Sequence, residues 1–325
     1  MKTLKGKVAV VAGATRGAGR GIACMLGEAG ATVYCTGRSV RGKSVKRRRG
    51  KAAFDLANRP ETIEETAEMV TARGGTGVPV QVDHTIEDQV KALFKRVKAE
   101  QGRLDVLVND VWGGDELTEF GKSFWKVSLE KGRIMLERAV FSHIITSHYA
   151  APLMIGTGRG LIVEITDGDS FTYRGNIFYD LVKTSVIRLA FDVAWELRKR
   201  KIAAVALTPG FLRSEAMLEH YGVTEENWQE GAKKEPNFIA SETPFFVGRA
   251  VAALASDPKV SKKSGRVFSS WGLSREYGFT DINGQRPDWG KHFEKKYGKI
   301  MKTCDDRFYE YWFGGPIEKM FPDWP

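Results

Sequence analysis

The chain has 325 residues, 42% of them hydrophobic and 28% charged, a balance that excludes a mainly disordered polypeptide and suits one large or two ordinary domains. No run approaches the roughly eighteen apolar residues of a membrane span, and the apolar start at 8–12 meets Gly13, Arg16 and Arg20 at once, so neither a transmembrane helix nor a cleaved signal peptide is expected. The net charge of +10 sits mostly in one segment, seven basic residues and no acid from Arg41 to Lys51. That segment has no aromatic side chain for a base to stack on, so nucleic acid is not an expected partner.

In chain order, short apolar runs alternate with longer amphipathic ones. The pattern predicts strands over 7–12, 31–36, 78–83, 104–109, 161–166, 202–208 and 266–271, each rich in Val or Ile or bounded by Gly, Asp or Pro. Between them it predicts helices over 17–29, 61–72, 86–100, 129–154, 179–199 and 244–255. Thr85 to Asp88 has the spacing of a capping box, Pro60 and Pro244 suit a first helical turn, and Gly74-Gly75 suits a helix end. Strict alternation implies an α/β fold, a mainly parallel seven-stranded sheet doubly wound by helices on both faces. Two stretches fall outside it: a long basic loop at 39–59, and a tail after Trp271 with ten aromatics from Trp289 onward. One catalytic domain over 1–272, with an irregular lid at about 211–242, and an aromatic-rich C-terminal extension over 273–325 is the expected organisation.

The first strand runs into Ala12-Gly13-Ala14-Thr15-Arg16-Gly17-Ala18-Gly19 and then a helix. Glycines there allow a tight turn and bring bare backbone and a helix amino terminus to a phosphate, so Gly13, Thr15, Arg16, Gly17 and Gly19 are candidate cofactor residues of a Rossmann-type nucleotide site. The second strand ends in Thr36-Gly37-Arg38 with no acid. Arginine pairs with a ribose 2′-phosphate where an acid would accept from a free hydroxyl, so Arg38 and Arg16 favour NADP(H) over NAD(H). Of nine tyrosines only Tyr179 has a lysine four residues on, Lys183. On a helix both share a face, where the ammonium lowers the phenol's pKa.

The Gly-x-x-x-Gly-x-Gly loop, the Tyr179/Lys183 pair and Pro209-Gly210, in this order, resemble the short-chain dehydrogenase/reductase family over about residues 5–272, and 161–214 looks most like an atypical branch of it. The resemblance implies catalysis by Tyr179 and Lys183, with Lys183 also holding the cofactor ribose. It places a hydroxyl about a dozen residues before the tyrosine to hold the substrate carbonyl. Thr166 is the candidate, Asp167 is the alternative occupant of that position, and Ser170 is in reserve. It further implies cofactor contacts at Asp83, Asn109, Pro209, Gly210 and Ser214, the last balanced against a helix cap.

The family's usual Asn-Asn-Ala-Gly appears only in part, as Asn109-Asp110-Val111-Trp112-Gly113, and its helical asparagine has no counterpart between Asn109 and Asn176. Acids at Glu164, Asp167, Asp169 and Asp180 disfavour a phenolate, which suits Tyr179 as proton donor. The expected activity is NADPH-dependent reduction of an aldehyde, ketone or quinone-like carbonyl to an alcohol. A nucleotide-binding sensor or scaffold without turnover is the alternative. Trp112 and Phe171, with Met217, Leu218, Tyr221, Trp228 and Phe238 of the lid, are candidate pocket residues. His84, His143 and His148 lack ligand spacing, so no metal is expected. Cys24, Cys35 and Cys304 form neither a disulfide framework nor a zinc set, which points to a reducing cytoplasm. The expected partners are a small-molecule substrate and, by resemblance, further copies of the chain in a dimer or tetramer built across the long helices at 129–154 and 179–199.

Overall fold

In the computed structural model, which describes residues 2–42, 59–169 and 173–298, the apolar runs form β1 (Val8–Ala12), β2 (Thr32–Gly37), β3 (Thr76–Gln81), β4 (Val106–Asn109), β5 (Gly160–Ile165), β6 (Ile202–Thr208) and β7 (Val267–Ser269). They make one sheet in the order β3-β2-β1-β4-β5-β6-β7, every pair parallel. The helices are α1 (Gly17–Glu28), α2 (Ile63–Ala72), α3 (Glu87–Gln101), α4 (Leu129–Leu136), α5 (Ser142–Thr157), α6 (Ile177–Leu197), α7 (Glu215–Tyr221), α8 (Pro244–Ser256), α9 (Ser270–Tyr277) and α10 (Trp289–Tyr297).

Side chains alternate across a strand, and here both sets are buried. Ala9, Val11, Val33, Val108, Val163 and Val205 pack with Ile22 and Leu26 of α1 and Val247, Val251 and Leu254 of α8. Their neighbours Val10, Tyr34, Leu107, Ile162 and Ala204 pack with Val90, Leu93 and Val97 of α3, Leu153 of α5 and Ala194 of α6. Burial on two faces is why the strands read as continuous apolar runs. Strand order reverses beside β1, between β2 and β4, and this opens a crevice at the carboxyl ends of the strands.

Several local expectations change. The long helix before β5 is interrupted by a π turn over Glu137–Phe141. The capping box does not form, because Asp83 takes both the Thr85 hydroxyl and the Thr85 N–H, at 2.7 and 3.0 Å, and Ile86 precedes α3 with no side-chain cap. Pro60 lies ahead of the true cap of α2, Thr62, while Pro244 is in the first turn of α8 as expected. The last strand stops at Ser269, whose hydroxyl caps α9, so Trp271 is helical.

Candidate active site

The glycine loop is shaped by close approach. Gly13 has φ +91°, and a Cβ there would meet the Asp110 carbonyl oxygen at 2.5 Å. The N–H groups of Gly13 and Ala14 donate to the Thr36 carbonyl, tying the loop to the end of β2. Gly19 lies behind the cleft: a Cβ would sit 2.3 Å from the Gly13 oxygen and 2.9 Å from Asp110 Oδ2, so its bareness seats α1 against the loop. The Gly17 N–H, at the start of α1, donates to Glu215 Oε2 at 2.8 Å. A carboxylate held by that N–H shows that the loop suits anionic oxygen.

A cleft of about 1050 Å³ runs from this loop across the sheet ends. Thr15, Arg16, Gly17, Arg38, Asp83, Thr166, Tyr179, Lys183, Pro209, Gly210 and Ser214 line it with Gly13. Asn109 does not. It is buried beneath, its amide donating to Ser147 Oγ at 3.0 Å and Glu164 Oε1 at 2.8 Å. Glu164 Oε2 lies 2.7 Å from His143 Nδ1, and His143 Nε2, 3.0 Å from the Val111 carbonyl, must carry a proton because that partner only accepts. His84, also buried, bridges Thr36 and Thr146.

No acid ends β2, yet the fold brings two acids to the arginines. Arg38 Nη1 is 3.8 Å from Asp83 Oδ2, and Arg16 Nε is 3.3 Å from Glu61 Oε2. A third arginine, Arg138 on the π turn, lines the same end and donates to the Gly113 carbonyl at 2.9 Å. Desolvation and then the charge of Arg38 depress its pKa, as expected of cations that share a wall.

At the other end Asn176 caps α6, its Oδ1 accepting from the N–H groups of Phe178 and Tyr179 at 3.0 and 3.1 Å. The cap fixes the first turn and presents Tyr179 and Lys183 to the cleft from one face. Tyr179 Oη donates to Asp167 Oδ2 at 2.8 Å, with Trp112 edge-on at 5.2 Å between ring centres. Lys183 Nζ lies 4.4 Å from the Trp112 ring centre and 5.5 Å from that of Tyr179. Of the two opposed influences expected on the phenol, that of the acids prevails over that of the lysine. Desolvation, then the charge and hydrogen bond of Asp167, then Asp115, hold Tyr179 well above its ordinary value. Desolvation also lowers Lys183, against the pull of Asp167, Asp110 and Asp115.

Thr166 and Asp167 leave the strand end in different directions. The Thr166 hydroxyl donates to the Lys183 carbonyl at 2.7 Å, whereas Asp167 meets the phenol. Ser170 and Phe171 lie outside the described residues, as do Cys304 and residues 43–58 of the basic loop.

After β6, Gly210 N donates to Glu242 Oε2 at 2.9 Å, and Ser214 caps α7, its hydroxyl accepting from Met217 N. The segment to residue 242 is pinned by Arg213, 1% exposed, which reaches the Glu225 carboxylate at 3.0 Å and the carbonyl and hydroxyl of Ser241. Its guanidinium lies 4.1 Å from the Trp228 ring centre. Of the lid candidates, Met217 lines the cleft, while Trp228 and Phe238 are buried behind it. Trp271, Trp289 and Phe293 come to the cleft from the stretch after β7, with Trp289 edge-on to Phe211 at 5.7 Å. Asp110, Asp115, Arg138 and Glu215 were missed in the sequence. Only Asp110 carried a signal there, as the odd residue of the partial Asn-Asn-Ala-Gly motif.

A family model described as enoyl-(acyl carrier protein) reductase matches residues 48–265. Dehydrogenase/reductase SDR family member 1 of Mus musculus is 38% identical over 287 residues, 87% of this chain and 85% of the relative, and the Homo sapiens protein is 37% identical over the same shares. A 7alpha-hydroxysteroid dehydrogenase of Clostridium sardiniense is 29% identical over 68% of this chain and 76% of its own. Among solved structures, L-sorbose reductase from Gluconobacter frateurii, complexed with NADPH and L-sorbose, superposes with a TM-score of 0.67 at 18% identity, covering 83% of this chain and 97% of that one. Hydroxysteroid dehydrogenase from Escherichia coli gives 0.65 at 24% identity, over 83% and 98%. The chain belongs to the short-chain dehydrogenase/reductase family of NAD(P)-dependent oxidoreductases.

Proposed function

We propose that the protein reduces a carbonyl group, of an aldehyde, ketone or quinone-like substrate, with NADPH in preference to NADH and with Tyr179 as proton donor. The observation that carries this reading is the Tyr179–Asp167 hydrogen bond, in which the phenol is the donor, with burial, Asp167 and Asp115 outweighing the opposing charge of Arg174. A phenol held above its ordinary pKa keeps its proton and is poorly placed to act as a base toward an alcohol.

The dinucleotide fits the residues present: a bare loop whose first helical N–H already takes a carboxylate oxygen, and a wall of three arginines where a 2′-phosphate would be read. When bound it supplies the hydride. Gly13, Thr15 and Gly17 would hold its pyrophosphate, with Gly19 seating the helix behind them. Arg16 and Arg38 would pair with the adenosine phosphate, Asp83 would contact adenine, and Asn109 would support the floor from beneath. Lys183 would bind the ribose and the Pro209-Gly210 turn with Ser214 would orient the carboxamide. Thr166 positions Lys183 through its carbonyl, and Asp167 takes the place beside the phenol. We further propose a homo-oligomer in the reducing cytoplasm, where the buried free thiols of Cys24 and Cys35 would stay reduced.

The test is NADPH oxidation against aldehydes, ketones, diketones and quinones by the wild type and Tyr179→Phe, with NADPH binding measured in both. Turnover that falls by roughly a hundred- to ten-thousandfold in the variant while binding persists is the expected result. Tight NADPH binding without turnover in either protein would instead favour a sensor.

A further inference from the structure

Hydrogen-bond accounting around Tyr179 restricts the substrate. If Tyr179 is the proton donor, as proposed above, its O–H must turn from Asp167 Oδ2 to the substrate oxygen, and the carboxylate then loses its donor. Among the described residues no second group donates to Asp167, although the cations Lys183 and Arg174 share the cleft with it. The Thr166 hydroxyl is spent on the Lys183 carbonyl at 2.7 Å, and the Gly168 N–H donates to Thr208 Oγ1 at 2.7 Å. The phenol of Tyr179 and the carboxylate are 2.8 Å apart, so the orphaned charge would lie beside the carbonyl oxygen just as that oxygen gains negative charge. An ionised carboxylate only accepts hydrogen bonds and opposes a developing oxyanion. For a simple ketone the arrangement is therefore poor.

It becomes favourable when the substrate brings its own donor. The two oxygens of an α-hydroxycarbonyl lie about one hydrogen-bond length apart, ~2.8 Å, which matches the Tyr179–Asp167 spacing. We propose that Asp167 is a specificity-determining residue that selects carbonyl substrates bearing a hydroxyl on the carbon next to the reacting carbonyl. The hydroxyl donates to Asp167 and replaces the phenol there, freeing Tyr179 to donate to the carbonyl oxygen. When bound, the reduced nicotinamide would supply the hydride for the new C–H bond and would itself be oxidised. The carbonyl π pair moves onto oxygen, which takes the phenol proton, and Tyr179 regains a proton from solvent. The product is a vicinal diol. Trp112 packs edge-on to Tyr179, and Phe211, Trp271, Trp289 and Phe293 line the same cleft, so an aryl group beside the hydroxycarbonyl is a suitable probe.

The proposal rests on the reductase reading, and two measurements separate their failures. Phenacyl alcohol and acetophenone differ only by the hydroxyl. The wild type is expected to favour phenacyl alcohol by at least about a hundredfold in kcat/KM, because a site built to bond a hydroxyl rejects the analogue lacking it. Asp167→Ser, which can donate to the carbonyl directly, is expected to bring that ratio within about threefold and to raise acetophenone turnover. Independently of turnover, styrene glycol should bind the wild-type NADP⁺ complex at least about tenfold more tightly than 1-phenylethanol, and equally with it in Asp167→Ser. Equal binding of the two alcohols by the wild type, or a ketone ratio unchanged by Asp167→Ser, would overturn the proposal whatever the activity. Diol preference with no reduction of either ketone would sink the reductase reading and leave the assignment of Asp167 standing.

Discussion

A lysine one helical turn from a tyrosine is commonly expected to ease the phenol toward ionisation, and here that influence is overruled by desolvation and by two carboxylates, Asp167 and Asp115. The same contest runs at the adenosine end of the cleft, where Arg38 faces Asp83 at 3.8 Å and Arg16 faces Glu61 at 3.3 Å. Glu61 is already held at both oxygens by three hydrogen bonds from Arg59, so it can release Arg16 without being left unpaired. Arg38 is 36% exposed and only loosely paired, which leaves its fork free for a phosphate. A charge-assisted contact of this kind is worth about 1.5–3 kcal/mol. Arg38→Ala should therefore weaken NADPH binding by roughly ten- to hundredfold while NADH binding changes by less than about threefold, measured by titration calorimetry. An equal loss for both cofactors would show that Arg38 supports the loop and does not read the phosphate.

At the scale of elements, the lid depends on one buried cation. Arg213 joins the start of the lid to its middle through Glu225 and Trp228 and to its end through Ser241, and the backbone repeats the link in an Arg213–Glu242 and Glu242–Phe211 ladder. Lysine keeps the charge but cannot make that planar set of bonds. Arg213→Lys should lower stability by about 1–3 kcal/mol and expose 214–240 to limited proteolysis; wild-type digestion rates would show the backbone ladder to be sufficient. The elements themselves were legible because two-faced burial writes continuous apolar runs, and Tyr179, Lys183 and the glycine loop were legible because their chemistry depends on local spacing. The neighbour of the phenol was not. Adjacent residues at a strand end point to opposite sides, so a one-residue ambiguity between Thr166 and Asp167 exchanges a hydroxyl for a carboxylate, and only the packed chain shows which one turns toward Tyr179. Arg138 and Asp115 gave no local signal, since a π turn and a loop after β4 bring them to the cleft from outside any motif.

For the whole molecule, two features extend beyond the site. Leu129, Phe141 and Ile144 are 76%, 56% and 41% exposed on the α4–α5 stretch, and Leu181 of α6 is 46% exposed. Exposed apolar groups on the long helices are what an interface between copies would cover, so Phe141→Glu combined with Ile144→Glu should shift the protein to monomer in light scattering; an unchanged mass would place the contact elsewhere. The second feature is a buried acid that joins three parts of the fold. Glu242 Oε2 accepts from Gly210 N at 2.9 Å and from Ser270 Oγ at 2.6 Å, linking the lid to the Pro209-Gly210 turn and α9, while Oε1 has no hydrogen-bond partner among the described residues. Burial pushes its carboxyl up to about 8. An unfolded glutamate titrates near 4.3, so between about pH 4.3 and 8 the unfolded chain has lost a proton that the folded chain keeps. Stability is then fully present below this window and is lost as pH rises through it, by up to about 1.4 kcal/mol per pH unit. Buried His84, lowered to about 3, works oppositely below its unfolded value near 6.5, because only the unfolded chain takes up its proton there. Glu242→Gln keeps the shape of the neutral acid and leaves His84 in place, so the histidine cancels when the two proteins are compared. The melting temperature should fall between pH 5 and 8 by several degrees more in the wild type than in Glu242→Gln. Parallel falls would mean that this carboxyl ionises in the folded protein as readily as in the unfolded one.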